Sequence, residues 1–249
     1  TTDATDTTDA TDTADRETMT VGERRFDAVV FDAGGVLVLP DPTVLGPLLA
    51  YFGGDESIEA HRRAHYAAMK AKADARSRES TWDVYDTTYV DAVGVPTHER
   101  DEAAEVLGRT RYHHTWRWPI PESRDALARL ERAGVPMGVV SNASGQIEAM
   151  LARSICQVGP GHHVAMRVIV DSEVVGVEKP DPAIFGFATE HFTEFDLGRI
   201  AYVGDSVTMD IEGAEAAGLH PLLIDPYDDH AGASFERIRS LHELADELC

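Results

Sequence analysis

Lysine and cysteine are scarce in this 249-residue chain. Only Cys156 and Cys249 occur, at no metal-ligand spacing, so neither a disulfide framework nor a cysteine-held zinc is expected. Three lysines (Lys70, Lys72, Lys179) stand against nineteen arginines, and 44 acidic residues bring the net charge to −22. Such a surface repels polyanions, which sets aside nucleic acid and anionic membranes as partners. No apolar run is long enough to cross a bilayer, and no signal segment opens the sequence. With so few thiols, the expected location is a reducing cytoplasm. The acidity fits a salty cytoplasm and a GC-rich genome equally. It also repels phosphate esters, so a site for them needs positive charge concentrated locally.

What is present is an ordinary globular apolar fraction, 43%, enough for a sizeable core. Residues 1–20 are a Thr/Asp/Ala repeat with almost nothing to bury and read as a disordered tail. From Phe26 onward, short apolar runs alternate with amphipathic stretches. Buried strands are expected at Phe26–Phe31, Pro136–Ser141, Arg167–Asp171, Arg199–Gly204 and Pro221–Ile224. Helices are expected between the later ones, at Glu122–Ala133, Gly145–Arg153, Pro182–His191 and Asp210–Ala217, the last capped by Gly218. This alternation predicts an α/β fold built on a doubly wound parallel sheet. The gap between the first two strands is too long for one crossover. Helical patterns such as Ser57–Arg76 and His98–Tyr112 make residues 42–115 a small inserted α-helical cap, with the core at 21–41 and 116–249. The aromatics Trp82, Tyr85, Tyr89, Tyr112 and Trp116 are expected to fill that cap's own core.

Open α/β sheets bind ligands beyond the carboxyl ends of their strands. Asp32-Ala33-Gly34-Gly35 follows the first strand, and Ser141-Asn142 closes the second. Lys179-Pro180 follows the third, and Gly204-Asp205-Ser206 ends the fourth, with Asp210 opening the next helix. Each piece alone is an ordinary turn, cap or loop residue. Together, in this order and each at a strand's end, they converge two carboxylates, a hydroxyl and an ammonium.

The segments VVFDAGGVL, VVSNASG, VEKPDPAIF and YVGDSVTMDIEGAEAAG resemble the four ordered motifs of the haloacid dehalogenase (HAD) superfamily. The resemblance covers about residues 26–40 and 119–225, and its fourth segment is the most specific. It implies a Rossmann-like core with a cap after the first strand and a Mg2+-dependent phosphatase acting on a small phosphorylated metabolite. By that resemblance Asp32 is the nucleophile, Ser141 holds the phosphoryl oxygens, and Lys179 neutralises both. Asp205 binds Mg2+ with Asp32 and the Gly34 carbonyl, and Asp210 supports it. Gly34, Gly35 and Asn142 border the substrate, the glycines allowing close backbone approach.

One position departs from the pattern. Phosphatases of this superfamily carry a second aspartate two residues after the nucleophile, and here that position is Gly34. Its general acid–base role is worth roughly 10²–10⁴-fold. A good leaving group, or a substitute among His61, His65, His113 and His114, would offset the loss. A 2-haloacid dehalogenase also lacks that aspartate, but Asp205 is an acidic metal ligand where a dehalogenase calls for a non-acidic pattern. A phosphonatase would need a cap lysine, and Lys70 and Lys72 are expected to be solvated. A non-catalytic phosphometabolite-binding or interaction protein would have no use for the nucleophile. Gly159-Pro160-Gly161 lacks the third glycine of a dinucleotide fingerprint and is read as following a helix, so dinucleotide binding is not expected. His162 and His163 share that loop, and the end around Leu241–Leu248 is read as a solvated amphipathic helix.

Overall fold

The computed structural model describes residues 24–77 and 81–249. The expected tail at 1–20 lies outside the described residues. In chain order the strands are β1 (Ala28–Phe31), β2 (Val38–Pro40), β3 (Trp116–Pro119), β4 (Met137–Ser141), β5 (Cys156–Val158), β6 (Val164–Met166), β7 (Val168–Asp171), β8 (Ile200–Gly204), β9 (His220–Ile224) and β10 (Arg237–Ile238). Six of them form one parallel sheet in the order β10-β9-β8-β1-β4-β7. The first strand is therefore central, with β4 on one side and β8 on the other.

Alternation along β1 explains the layering. Ala28 and Val30 point into one buried cluster with Val140, Phe185, Phe192, Ile200 and Tyr202. Val29 and Phe31 point into another with Leu127, Leu130, Met137, Val139, Val203 and Leu244. A strand buried on both faces has no polar side, which is why these runs read as continuous apolar text. The covering helices are α5 (Pro121–Arg132), α6 (Ile147–Leu151), α7 (Ser172–Val175), α8 (Ala183–Thr189), α9 (Glu212–Ala216) and α10 (Leu241–Leu248), and they follow four earlier ones. Those are α1 (Pro42–Ala50), α2 (Ile58–Asp74), α3 (Asp83–Ala92) and α4 (Arg100–Thr110), all between β2 and β3. They enclose a separate core of Leu45, Leu49, Ala64, Tyr85, Tyr89, Val90 and Leu107.

The antiparallel pair β2–β3 carries the chain into this helical insert and back out. Asp41 fastens the junction. It caps α1 by accepting from Thr43 N at 2.9 Å, and it accepts from Arg117 Nε at 2.9 Å. Its own N–H donates to Thr115 O at 2.7 Å.

Three expectations need correction. Gly159-Pro160-Gly161 follows a strand, β5, and joins it to its parallel partner β6. A three-residue strand is too short to stand out from its surroundings by alternation. Lys72 is buried with its ammonium 3.7 Å from the Trp82 ring centroid, while Lys70 pairs with Asp74 on the next turn. The last helix is no solvated end, since Leu241, Leu244, Ala245 and Leu248 are all buried in the main core. Among the described residues no helix is long and apolar enough to cross a membrane.

Candidate active site

Asp32 sits one residue beyond β1, where register places it beside the ends of both neighbours: Phe31 pairs with Val139 of β4 and Val203 of β8. Its N–H donates to Val203 O at 2.8 Å, which fixes the backbone at the sheet's edge. Ser141 ends β4, and Asp205 follows β8. The expected residues thus come together on three adjacent strands, at the point where the chain's winding reverses direction.

Lys179 joins the group from the loop before α8. Its ammonium lies 2.8 Å from Asp32 Oδ1 and 2.6 Å from Asp210 Oδ1, and it also meets the Tyr202 hydroxyl at 3.2 Å. Burial opposes its charge, but the facing Asp210 and Asp32 carboxylates hold its pKa well above the ordinary value. For Asp32, burial pushes the carboxyl up to about 7; the Lys179 ammonium opposes that rise, while Asp210 and Asp205 add to it.

Asp210 lies in a single π-helical turn, Val207–Ile211. Its Oδ2 accepts from the N–H groups of Asp205 (3.1 Å) and Ser206 (2.9 Å), and its Oδ1 accepts from Lys179 and from the Tyr202 hydroxyl. Both oxygens are committed to protein donors, so Asp210 shapes the Asp205 turn and anchors the lysine. The approach is close enough that a Cβ at Gly204 would lie 2.2 Å from Asp210 Cβ.

One residue expected at the substrate is turned to other work. The Gly35 N–H donates to Val38 O at 2.8 Å, and its carbonyl accepts from the Tyr66 hydroxyl at 2.7 Å. Its lack of a side chain serves Asp205: with φ +65°, a Cβ there would lie 2.0 Å from Asp205 Oδ2. Gly34 and Asn142 both border the cavity above the site. Asn142 also clamps the lysine loop, accepting from Lys179 N at 2.7 Å and donating to Lys179 O at 3.1 Å. A Cβ on Gly34 would be 3.1 Å from the Trp116 ring.

Above these residues lies a cavity of about 300 Å³, floored by Asp32, Gly34, Ser141, Lys179 and Asp205. The insert supplies Met69, Trp82 and Arg111 to its walls, and β3 supplies Trp116. Trp82 and Trp116 therefore line the cavity, against the expectation that they fill the insert's core. Tyr85 and Tyr89 do fill it, and Tyr112 is exposed. Arg111 is held by two bonds to Asp86 (2.8 and 3.0 Å) with its guanidinium 4.3 Å from the Trp82 centroid. Of the candidate histidines, His61 is buried against the Tyr89 hydroxyl at 2.8 Å, and His114 stacks on Tyr112. The His113 side chain lies outside the described residues. His65 reaches the site: its Nε2 is 2.9 Å from Asp205 Oδ2.

Asp32, Asp205 and Asp210 present oxygens within 4.8 Å of one another, all buried. Two of the three carboxylates share the Lys179 ammonium, and Asp32 Oδ1 makes no well-aligned hydrogen bond. An oxygen-rich set with surplus negative charge is the donor chemistry that suits a hard dication.

An open parallel sheet with carboxylates and a lysine at its carboxyl edge, roofed by a helical insert, defines a hydrolase class. The chain belongs to the haloacid dehalogenase-like hydrolases, whose family model matches residues 26–218. It is 26% identical to phosphoserine phosphatase of Thermus thermophilus over 72% of this chain and 84% of that protein. It is 32% identical to haloacid dehalogenase-like hydrolase domain-containing protein 3 of Bos taurus over 43% of this chain, an alignment spanning only 40% of the bovine protein. Its fold is similar to the crystal structure of a HAD phosphatase from Thermococcus onnurineus, with TM-score 0.53 and 21% identity over 88% of this chain and 96% of the other.

Proposed function

We propose that this chain is a Mg2+-dependent phosphatase that hydrolyses a small phosphorylated metabolite with a good leaving group, through an aspartyl-phosphate intermediate on Asp32. The observation that carries the reading is the buried run Asp32–Lys179–Asp210 beside Asp205, which puts a nucleophile, its counter-charge and a cation-binding carboxylate under one small cavity.

In this reading an Asp32 oxygen attacks phosphorus, and the ester oxygen leaves with the bonding pair. Water then attacks phosphorus and releases phosphate, regenerating the carboxylate. Lys179 offsets the charge of the attacking carboxylate and of the equatorial phosphoryl oxygens, and the Ser141 hydroxyl donates to one of them. Asp32, Asp205 and the Gly34 carbonyl would hold Mg2+, which when bound supplies further positive charge to the phosphoryl oxygens. Asp210 keeps the Asp205 turn and the lysine in place.

No carboxylate stands at residue 34 to protonate the departing oxygen, and the space beside Gly34 is taken by the Trp116 ring. The carboxylate of an acyl phosphate departs without that proton, and the anomeric oxygen of a sugar 1-phosphate needs it less than an ordinary alkoxide does, so such substrates fit the site. A dehalogenase would make its ester on the same Asp32 without a metal, which leaves Asp205 without a purpose.

The test is hydrolysis of acetyl phosphate and p-nitrophenyl phosphate with Mg2+, with EDTA, and by Asp32→Asn. Phosphate release that needs Mg2+ and disappears in the variant is expected. Chloride release from 2-chloropropionate with no phosphate release under any metal would replace the reading with a dehalogenase.

A further inference from the structure

His65 belongs to α2, in the insert, yet it is fully buried against a residue 140 positions away on the core. Its Nδ1 lies 2.9 Å from the Tyr85 hydroxyl and its Nε2 lies 2.9 Å from Asp205 Oδ2. A carboxylate can only accept, so the hydrogen on Nε2 donates to Asp205 Oδ2, and the Tyr85 hydroxyl, able to donate or accept, satisfies Nδ1. Asp205 Oδ2 is thereby wedged between an imidazole and the bare Cα of Gly35, leaving its other oxygen for a cation. The Trp116 ring packs edge-on against the imidazole at 5.4 Å and keeps it in line.

The contact does not stand alone. The same side of α2 is fastened to the core along its length. Glu59 accepts from the Tyr227 hydroxyl at 2.6 Å, and Arg62 pairs with Glu122 at 2.8 Å. Arg63 makes two bonds to Asp229, at 2.6 and 2.7 Å, and Tyr66 donates to Gly35 O. Residues 59, 62, 63 and 66 fall on one helical face, so seating that face is what delivers His65 to Asp205.

We propose that His65 is a positioning residue for the cation site and that seating of the insert and binding of Mg2+ favour each other through it. The inference rests on the reading of Asp205 as a cation ligand. With the insert lifted, Asp205 Oδ2 loses its donor and the carboxylate its fixed orientation. Cation affinity falls, and by linkage a bound cation holds the insert down by the same factor. Loss of an outer partner of a metal ligand typically costs about 10–100-fold in affinity, and that is the effect expected here.

The experiment is calorimetric titration of substrate-free, full-length protein with Mg2+, paired with hydrogen exchange of the α2 amides with and without Mg2+. His65→Phe should weaken Mg2+ binding about 10–100-fold. His65→Gln, whose amide still offers a donor, should stay within about threefold of wild type. Mg2+ should slow exchange in α2 of the wild type and leave His65→Phe unchanged. Wild-type affinity in His65→Phe would overturn the proposal, as would an equal loss in the Gln and Phe variants. If His65→Phe does not fold, Asp229→Ala decides, because it loosens α2 far from the cation site: several-fold weaker Mg2+ binding supports the coupling and unchanged binding overturns it. Wild-type protein that binds Mg2+ no better than Asp205→Asn would sink the metal-dependent reading itself, and this inference with it.

Discussion

Restoring a carboxylate at residue 34 is the sharpest perturbation of the proposed chemistry, and the structure says why one substitution is not enough. A Cβ on Gly34 would lie 3.1 and 3.2 Å from two atoms of the Trp116 ring, so the indole must give way by a few tenths of an ångström before any carboxylate is added. Overpacking of this kind costs about 1–3 kcal/mol. Backbone strain does not enter, because Gly34, unlike Gly35, is not in the left-handed region. The same Cβ would be 3.8 Å from Asp32 Oδ2, so its carboxyl group would stand beside the transferring phosphoryl group, within reach of the oxygen that leaves opposite Asp32. Gly34→Asp with Trp116→Leu should therefore gain far more than Gly34→Asp alone. The ceiling is the roughly 10²–10⁴-fold that general acid–base catalysis supplies, and it applies only where the leaving group needs a proton. The assay is kcat/KM for an alkyl phosphate beside acetyl phosphate, across wild type, both single variants and the double. The alkyl ester should rise steeply in the double variant while acetyl phosphate changes little. A larger gain on acetyl phosphate, or a single variant equal to the double, would refute the reasoning.

Two further outcomes follow from the charges. Lys179→Met leaves Asp32 and Asp210 buried together, beside Asp205, without their ammonium, and removing one partner of a buried ion pair costs about 3–5 kcal/mol; urea unfolding in EDTA should show that loss, and a cost below about 1 kcal/mol would mean the two carboxylates are already protonated or solvated. The Arg62–Glu122 pair ties α2 to α5: burial pushes the Glu122 carboxyl up, but the Arg62 hydrogen bond outweighs it and holds the pKa below 4.5. A depressed carboxyl stabilises the fold above its ordinary pKa and loses that contribution as the pH falls through the depressed value. With Glu122 half-exposed the contribution is about 0.2–1 kcal/mol, so Glu122→Gln should lower Tm by no more than about 4 °C at pH 7, and the difference should shrink as the pH is taken down below the ordinary carboxylate range. A Tm difference that does not shrink on acidification would show that the pair is not its source.

The core was legible because its signals are local. Each of the strands expected at 26–31, 136–141, 167–171, 199–204 and 221–224 forms with its ends shifted by no more than two residues, since a strand buried on both faces must be apolar throughout. Asp32, Ser141, Lys179 and Asp205 could be placed together because a parallel sheet brings the residue after every strand to the same edge. The short strands β2, β3, β5, β6 and β10 left no comparable trace, being two to four residues long and defined by their partners. Gly35 was read for the right loop and the wrong contact, and the clamp of Asn142 on the lysine loop was not foreseen, since which groups a bare Cα or an amide faces depends on segments far along the chain.

His65 marks where such reading ends. Nothing in HRRAHYAAMK separates it from His61, four residues earlier on the same helix, and both are buried against a tyrosine hydroxyl through Nδ1. They differ in what the second nitrogen meets: for His65 it is Asp205, a contact that exists only when the insert is seated on the core. The glycine at 34 and the histidine at 65 can then be seen as parts of one arrangement. Without a side chain at 34, the indole of Trp116 moves in over the nucleophile's loop and packs against the His65 imidazole, which in turn steadies Asp205. On the proposed function, the position that gives up proton transfer thereby makes room for a contact that would fix a cation ligand, an arrangement suited to substrates limited by charge neutralisation rather than by protonation of the leaving group.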